Sequence, residues 1–342
     1  MRVFACPHCA HVVQFESTSC VNCGTALAYD PVARTIARAD GGAGAPCANA
    51  LVAACNWLAP APGALCASCR FTRTRPADGD AAGLAGFALV EGAKRRLLFE
   101  LSELELPLAR WDERDGGLGF DLLSSAYEPV VTGHADGIVT IDLAEADPVH
   151  RERLRVQLGE PYRTLLGHLR HEVGHWYQTV LVAPGSEREE ACRRLFGDER
   201  ADYQAAMSRH YAEGPPAGWR EQFVSAYATM HPWEDWAETF AHYLHVNDAL
   251  QTAAAWGVRV SGPPSAVTSA EPLQSDPADA ERGGDLSERL EAWIPLTLAL
   301  NAVNRSMGVE DLYPFVLGPA VQRKLTFVDQ LVRAGTPRGV HN

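Results

Sequence analysis

The stretch His171-Glu172-Val173-Gly174-His175 decides both the fold and the chemistry that this sequence predicts. It is an HExxH motif within a segment, Leu165 to Leu181, whose apolar residues recur at helical spacing. Residues four apart on a helix project from one face, so the two histidines can bind one zinc ion. Glu172 lies on the adjacent face, where its carboxylate can take a proton from water that the metal activates. The motif therefore predicts zinc-dependent hydrolysis rather than a surface helix with two solvated histidines.

A catalytic zinc needs a third protein ligand, and the residues after His175 lack the third histidine of the metzincin pattern. The best candidates are Glu234 and Glu238, one turn apart on a helix expected to begin at Pro232. One can bind zinc while the other holds a ligand imidazole through its second nitrogen. Similarity to gluzincins, in which the first acid is the ligand, favours Glu234 as ligand and Glu238 as the orienting acid over the reverse. The other candidates are His210, His231, His242 and an acid within 197–202.

Tyr227 precedes Glu234 by seven residues along the chain. In several zincins with a glutamate ligand, a tyrosine near this place donates a hydrogen bond to the oxyanion of the reaction. A tyrosine packed in the core explains the position equally well. Both interpretations of Tyr227 stay open at this point.

The first 70 residues contain eight of the nine cysteines. Such a density indicates disulfides in a secreted chain, but the N-terminus shows no apolar signal segment and six of the eight form Cys-x-x-Cys pairs. The first two pairs predict a zinc ribbon, with a short strand in the spacer of ten residues between them. Their members are Cys6, Cys9, Cys20 and Cys23. The alternative for this set is a redox dithiol or unligated thiols.

The second cysteine set has a less regular spacing, and only its last two members form a Cys-x-x-Cys pair. The set consists of Cys47, Cys55, Cys66 and Cys69. We predict a second four-cysteine zinc site from it. The alternative is that only Cys66 and Cys69 are ligands, with His8 or His11 rearranging the first site. The sequence thus predicts three zinc ions, one catalytic and two structural.

Composition and charge exclude several classes of protein. With 342 residues, of which 46% are hydrophobic and 21% charged, the chain can bury a core and its length indicates about two domains. No apolar run approaches the roughly 20 residues that span a bilayer, so we expect no membrane contact and a cytoplasmic location. The net charge of −13 argues against a nucleic-acid partner. We expect Arg70, Arg73 and Arg75 to form intramolecular salt bridges rather than a basic patch.

The residues after the cysteines predict an α+β fold, a mostly helical zincin-like domain with a small β-sheet. Helices are expected at 87–106, 161–183, 186–212, 219–229, 232–256, 286–307 and 318–334. Strands are expected at 119–122, 129–132 and 138–143. The last of these is expected at a sheet edge, where a peptide can add as a further strand. The Pro- and Ser-rich segment 261–285 predicts a flexible loop, and the domains are expected at 1–75 and 80–342.

Several stretches resemble the bacterial family described as "putative zinc-binding metallopeptidases", whose members carry an N-terminal zinc ribbon. These stretches are CPHC…CVNCG, CNWL, CASCR, AKRRLL, GHADGIVTIDLAEAD, EPYRTLLGHLRHEVGHW, FGDERADY, VSAYATMHPWEDWAETFAHYLH and NRSMGVEDLYPF. The helix around Glu234 also resembles the corresponding helix of anthrax lethal factor, a gluzincin. The resemblance implies a zincin-like fold with His171, His175 and Glu234 as metal ligands and Glu172 as the base.

Two functions from different classes follow from these residues. The first is a zinc-dependent endopeptidase that acts on a peptide or protein substrate and uses the zinc ribbons as a docking module. The second is a non-hydrolytic protein- or nucleic-acid-binding regulator built on a zincin-like scaffold. Glu172 favours the first, because a scaffold has no need of a general base.

Overall fold

The computed structural model describes residues 1–42, 44–158, 160–264 and 272–335. Within these residues the chain forms nine α-helices and twelve short strands, which confirms the α+β class. The helices are α1 Ala81–Glu103, α2 Pro148–Leu158, α3 Leu165–Leu181, α4 Glu187–Phe196, α5 Tyr203–Glu213, α6 Pro232–Ala255, α7 Pro277–Gly283, α8 Leu286–Ser306 and α9 Pro319–Gly335. The strands are β1 Phe4–Ala5, β2 Val12–Val13, β3 Leu27–Asp30, β4 Thr35–Arg38, β5 Ala45–Pro46, β6 Leu58–Ala59, β7 Thr72–Thr74, β8 Gly119–Leu123, β9 Gly133–Ala135, β10 Ile138–Asp142, β11 Val260–Pro264 and β12 Pro272–Ser275.

The chain divides into two compact units that share helix α3. The first unit contains 2–159 and 163–172, and the second contains Met1, 160–162 and 173–342. The cysteine-rich segment therefore belongs to the same compact unit as α1 and the sheet. The predicted domain boundary at 75–80 stays a prediction. Among the described residues, none of the helices has the length and apolar character needed to cross a membrane.

In the first unit, the cysteine-rich segment packs on α1 through a cluster of five aromatic rings. The cluster consists of Phe4, Phe15, Tyr29, Trp57 and Phe99. The contacting ring centroids lie between 4.9 and 6.2 Å apart, and four of the rings come from the cysteine-rich segment. Such pairs each contribute about 0.5–1.5 kcal/mol beyond the burial of their area. This cluster gives a segment with very short strands an apolar core on the surface of α1.

Helix α1 also holds the second cysteine set through polar side chains. Arg95 donates hydrogen bonds to the carbonyls of Ala53 and Ala54, at 3.2 and 3.1 Å. Lys94 and Glu91 form a fully buried ion pair of 2.6 Å. A buried pair needs further hydrogen bonds to offset its desolvation, and Thr72 of β7 contacts both charged groups.

A four-stranded sheet of order β7-β8-β10-β9 lies in the first unit. Strands β7, β8 and β10 run parallel, and β9 pairs antiparallel with β10. The expectation that 138–143 is an edge strand is therefore wrong, because β10 is paired on both sides and β9 lies at that edge of the sheet. The predicted strand at 129–132 is shifted to β9. The shift arises because Asp136 and Gly137, with φ of +49° and +85°, form the two-residue turn that fixes the register.

Helix boundaries differ from the sequence-based expectations where a capping residue decides them. Helix α1 begins six residues before 87, because the side chain of Asp80 accepts a hydrogen bond from the amide of Gly83 at 2.8 Å. The predicted helix at 186–212 is two helices, interrupted at Gly197, whose φ of +100° ends α4. The predicted helix at 219–229 is wrong, because the segment contains only the short 3₁₀ turns Trp219–Glu221 and Tyr227–Thr229.

The predicted flexible loop at 261–285 is wrong for the part that the structure describes. Strands β11 and β12 pair antiparallel there, and α7 follows at once. The loop was predicted from composition alone, and proline fits the first position of a helix as well as it fits a loop. Asp276 caps α7 by accepting hydrogen bonds from the amides of Ala278 and Asp279, with Pro277 at the helix start. Residues 265–271 of the predicted loop lie outside the described residues.

Helix α6 is the centre of the second unit, and it carries aromatic residues at core spacing. Trp236, Phe240 and Tyr243 are each at most 1% exposed. Glu234 and Glu238, one turn apart, share a different face of α6. Buried ion pairs join α9 to its neighbours, including Lys324 with Asp235 at 2.6 Å.

Candidate functional site

Helix α3 presents the HExxH motif as the sequence predicts. It begins at Leu165, where the Thr164 hydroxyl accepts a hydrogen bond from the amide of Gly167 at 3.0 Å and caps the first turn. His171, Glu172 and His175 are only 9%, 5% and 4% exposed. All three polar side chains are thus largely removed from water, which is a costly placement unless partners or a metal compensate.

His171, His175 and Glu234 each offer a ligand atom, and these atoms lie within 4.8 Å of one another. The Nε2 atom of His175 is 3.5 Å from Oε2 of Glu234. Donors at about 2.0–2.2 Å from a tetrahedral zinc ion lie about 3.3–3.5 Å apart, so this separation suits a shared ion. Two histidines and one glutamate are the donor set of catalytic zinc sites that keep a fourth position open. The residues present therefore fit zinc.

The position of Glu234 follows from how α6 begins. His231 caps the helix by accepting a hydrogen bond from the amide of Trp233 at its Nδ1, and Pro232 occupies the first helical position. Glu234 falls in the first turn, where the helix dipole favours a negative charge. The Nε2 of His231 lies 3.0 Å from the carbonyl of Ala201. His231, an alternative third ligand from the sequence, is thus engaged as a cap.

The other two histidine candidates also make contacts away from the cluster. His242 Nδ1 lies 2.7 Å from the hydroxyl of Tyr313, and His210 Nδ1 lies 3.4 Å from the hydroxyl of Thr229. Neither belongs to the group of ligand atoms around Glu234. The geometry therefore brings together the set that the sequence analysis favoured.

Two aromatic residues support the cluster. The Tyr203 hydroxyl, on α5, donates a hydrogen bond of 2.9 Å to Oε1 of Glu234. The indole of Trp233 stacks on the imidazole of His175, with ring centroids 5.0 Å apart and planes 10° from parallel. Neighbours of this kind fix the rotamers of metal-binding side chains, and so raise metal affinity.

Glu238 lies one turn after Glu234 on α6 and accepts a hydrogen bond of 2.6 Å from Ser225. The same Ser225 hydroxyl accepts a hydrogen bond from the amide of Ala228 and so anchors the turn that follows. The predicted role of Glu238, holding a ligand histidine, stays a prediction.

Tyr227 lies in the 3₁₀ turn Tyr227–Thr229, close to the Glu234 carboxylate. Burial raises the pKa of its phenol above the usual range, and the charge of Glu234 and a hydrogen bond with Tyr203 raise it further. The side chain is therefore a protonated donor at neutral pH. Tyr227 is thus partly buried and also lies near Glu234 and Tyr203. Both interpretations of Tyr227, an oxyanion donor and a core residue, stay open.

Glu172 is held by a residue of its own helix. His168 Nε2 lies 3.1 Å from Oε1 of Glu172, and His168 Nδ1 lies 2.8 Å from Oε2 of Glu145. Burial lowers the pKa of His168, but hydrogen bonds to Glu145 and Glu172 and the charges of both carboxylates outweigh it and raise the pKa to about 9. The imidazole is thus cationic at neutral pH.

The eight N-terminal cysteines form two groups of four, and in each group the four sulfur atoms lie within 4.8 Å of one another. Cys6 Sγ is 3.7 Å from Cys23 Sγ, and Cys55 Sγ is 3.6 Å from Cys66 Sγ. A tetrahedron of sulfurs at about 2.3 Å from zinc has edges of about 3.8 Å, whereas a disulfide brings two sulfurs to about 2.05 Å. Both groups therefore fit zinc, and neither contains a histidine.

The first group has the backbone geometry of paired zinc knuckles. Ala10 and Gly24 each follow the second cysteine of a pair and have φ of +59° and +73°. Their amides donate to the carbonyls of Cys6 and Cys20, at 2.9 and 2.8 Å. Glycine adopts this conformation without strain, while Ala10 adopts it at a steric cost. The tight turn in each pair points both of its sulfurs at one centre.

Two of the three arginines after the last knuckle form ion pairs within the chain. Arg73 makes a bidentate pair with Asp121 of the adjacent strand β8, at 3.1 and 2.7 Å. Arg75 pairs with Asp78 at 2.7 Å. These contacts agree with the expectation of intramolecular salt bridges at these two positions.

Comparison with known proteins assigns the chain to a family. The profile of a family described as "Putative zinc-binding metallo-peptidase" matches residues 84–331, and that of a zinc-ribbon domain matches residues 3–80. The chain belongs to this metallopeptidase family. Proteins of Mycobacterium tuberculosis and Mycobacterium bovis, described as uncharacterized, are 50% identical to it over 341 residues, which cover 98% of this chain and 97% of each relative. No solved structure matches the chain.

Three residues that surround the site of this family member were missed by sequence reasoning. Tyr203 and Trp233 contact ligand candidates, and His168 contacts Glu172. Only His168 carried a local signal, because it precedes Glu172 by four residues and shares its helix face. Tyr203 is 31 residues from Glu234, so its contact depends on how α5 and α6 pack.

Proposed function

We propose that this protein is a zinc-dependent endopeptidase of the gluzincin type, acting on a peptide or protein substrate. The observation that carries the proposal is the convergence of His171, His175 and Glu234 ligand atoms within 4.8 Å, with both histidines on the helix that also carries Glu172. Membership of a metallopeptidase family supports it. In this assignment His171, His175 and Glu234 bind zinc, and Glu238 orients a ligand histidine.

The proposed reaction divides its work between the metal and three side chains. When bound, zinc supplies Lewis acidity that polarises the scissile carbonyl and lowers the pKa of water. Glu172 takes a proton from the attacking water as general base and returns it to the leaving amine as general acid. The Tyr227 hydroxyl donates a hydrogen bond to the developing oxyanion. Tyr203 holds the Glu234 carboxylate in place while charge builds up.

We assign the two cysteine groups as structural zinc sites, and the segment that they organise as a docking module for substrate or partner. Eight cysteine ligands must stay as thiolates, which a reducing compartment maintains, so we propose a cytoplasmic location. Strand β9 is an edge strand of its sheet, and an extended peptide can add to such a strand through backbone hydrogen bonds.

The proposal is tested by comparing wild-type protein with Glu172→Gln on a peptide library prepared from a proteome. The substitution removes the base without removing a ligand, so zinc content should stay the same while cleavage falls by at least about 10²–10⁴-fold, the usual contribution of general acid–base catalysis. Mass spectrometry of the new peptide termini is the readout, with metal content measured on the same samples.

Two results would contradict the proposal. Cleavage at the same rate by both proteins indicates a contaminating or different peptidase activity. A wild-type protein that carries its zinc and yields no new termini supports the non-hydrolytic binding function instead.

A further inference from the structure

The imidazole of His168 bridges two carboxylates in the first compact unit. Its Nε2 lies 3.1 Å from Oε1 of Glu172, and its Nδ1 lies 2.8 Å from Oε2 of Glu145. An ionised carboxylate only accepts hydrogen bonds, and a neutral imidazole donates from only one nitrogen. With both carboxylates ionised, both contacts are hydrogen bonds only when His168 is an imidazolium that donates from both nitrogens. The geometry therefore requires a cation beside the proposed base.

Glu145 is itself fixed from three sides. Arg163 Nη2 lies 3.1 Å from Oε2 of Glu145, and the Thr132 hydroxyl donates to Oε1 at 3.2 Å. The guanidinium of Arg151 donates to the carbonyls of Glu145 and Ala146, at 2.6 and 2.9 Å. Glu145, whose carboxylate holds His168, is only 4% exposed. It is a rigid anchor rather than a mobile surface acid.

The charges around His168 explain why a cation is stable there. The charged groups that the structure places against it are Glu145 in the turn after β10, Glu172 on its own helix and, through Glu145, Arg163 ahead of α3. Each of these four side chains has an oppositely charged partner among the others. Buried charges are tolerated in such groups because each is paired and hydrogen-bonded.

We propose that His168, anchored by Glu145, is a positioning residue that holds the Glu172 carboxylate in the orientation needed for proton transfer. This inference rests on the proposed peptidase function, in which Glu172 is the base. A carboxylate bound at Oε1 by a fixed donor loses rotation about its side chain. Proton transfer requires donor and acceptor within about 2.6–3.2 Å, so a fixed carboxylate spends more of its time in a reactive geometry.

A pH dependence follows from this arrangement. The pKa of His168 is raised to about 9, so the imidazolium is present below that pH and is lost as the pH rises through it. Loss of the proton removes one of the two hydrogen bonds and releases either Glu172 or Glu145. We expect an alkaline decline of kcat that Glu145→Gln shifts to lower pH, because that substitution removes one of the two charges that keep His168 protonated.

The test uses the full-length zinc-loaded protein and two variants of the pair, His168→Gln and Glu145→Gln. His150→Gln, at a half-buried histidine of α2, is the matched control. Zinc content and thermal unfolding show whether each variant is folded and loaded. With a substrate peptide from the library, we expect kcat of His168→Gln to fall about 10–100-fold with little change in KM, as is typical when a residue that orients a functional group is lost.

A second measurement does not depend on activity. NMR titration of isotope-labelled histidine follows the protonation of His168 in wild type, Glu172→Gln and Glu145→Gln. We expect an imidazolium at pH 7.5 in wild type and a lower His168 pKa in each variant, with no change at His150.

The outcomes separate this inference from the proposed function. Full kcat in a folded, zinc-loaded His168→Gln overturns the positioning role while peptidase activity stands. A neutral His168 in wild type, or a His168 pKa insensitive to Glu172→Gln, also overturns it. If wild type hydrolyses nothing, the peptidase proposal fails, and the positioning role fails with it. A His168 pKa that falls in Glu172→Gln would then still establish the contact between the two side chains.

Discussion

Tyr203 contacts the proposed metal site from outside the HExxH helix. Its hydroxyl donates a 2.9 Å hydrogen bond to Oε1 of Glu234, and both side chains lie in the second compact unit. A ligand carboxylate held in this way is oriented before the metal arrives. The carboxylate then loses little further conformational entropy when the metal binds.

We predict that Tyr203→Phe weakens binding of the catalytic zinc by about 10–100-fold while leaving the cysteine sites loaded. The substitution keeps the ring and removes only the donor. The measurement is the chelator concentration at which the third zinc is lost. Tyr211→Phe is the control, since Tyr211 lies on the same helix and is 62% exposed. Equal chelator resistance in the two variants would show that the hydrogen bond has no part in metal binding.

At the scale of the element, the approach of α3 to α6 depends on Gly174, the glycine inside the HExxH motif. A Cβ at this position would lie 3.1 Å from both Cα and the carbonyl oxygen of Ala237, and 3.3 Å from Cβ of Phe240. The indole of Trp236 donates to the carbonyl of Gly174 at 2.8 Å, which fixes the same contact. The two helices that carry His175 and Glu234 are therefore in backbone contact.

We predict that Gly174→Ala lowers the free energy of unfolding and weakens the catalytic zinc site. Overpacking costs about 1–3 kcal/mol, and the gain in helix propensity, up to about 1 kcal/mol, offsets only part of it. Thermal unfolding and zinc content measure the two effects. Gly92→Ala in α1, where the new Cβ meets only Nη2 of Arg95 at 3.7 Å, should be neutral or stabilising. A Gly174→Ala protein as stable as Gly92→Ala would refute the close-contact argument.

Elements with a local signal were predictable from the sequence, and elements decided by long-range packing were not. Pro232 and the aromatic spacing of Trp236 and Phe240 predicted α6, and the structure begins that helix at Pro232. The segment 261–285 was misjudged, because its prolines and serines gave no sign of the pairing between β11 and β12. Strand 138–143 was predicted correctly as a strand, but its central position depends on β8, which lies 15 residues or more earlier in the chain.

The same division holds within the candidate site. His171, Glu172 and His175 are specified by spacing on one helix, and the first cysteine group by its two Cys-x-x-Cys pairs. The second cysteine group has only one such pair, Cys66 and Cys69. The supporting contacts of Tyr203 and of the Glu145–His168 pair join segments that the sequence does not relate. Sequence therefore predicts the atoms that can bind a metal, while the structure adds the groups that hold those atoms in place.

At the scale of the whole molecule, the described residues contain three groups that could hold a metal ion, two in the cysteine-rich segment and one on α3 and α6. A small segment organised by metal has little core of its own, and its folding free energy depends on that metal. The aromatic cluster on α1 adds apolar burial to the cysteine-rich segment. The central claim is that the third group, with Glu234 as a ligand, holds a zinc ion distinct from the two cysteine-bound ions.

The most direct test of this claim is the zinc content of wild type, Glu234→Ala and Glu238→Ala, purified without chelator and measured by elemental analysis. A ligand carboxylate neutralises the charge of the metal, so its loss vacates the site, whereas loss of an orienting carboxylate costs only about 10–100-fold in affinity or activity. We predict three zinc ions per chain for wild type and Glu238→Ala, and two for Glu234→Ala. Three ions in Glu234→Ala, with two in Glu238→Ala, would exchange the roles of the two acids. A wild-type value near two would contradict the catalytic zinc itself.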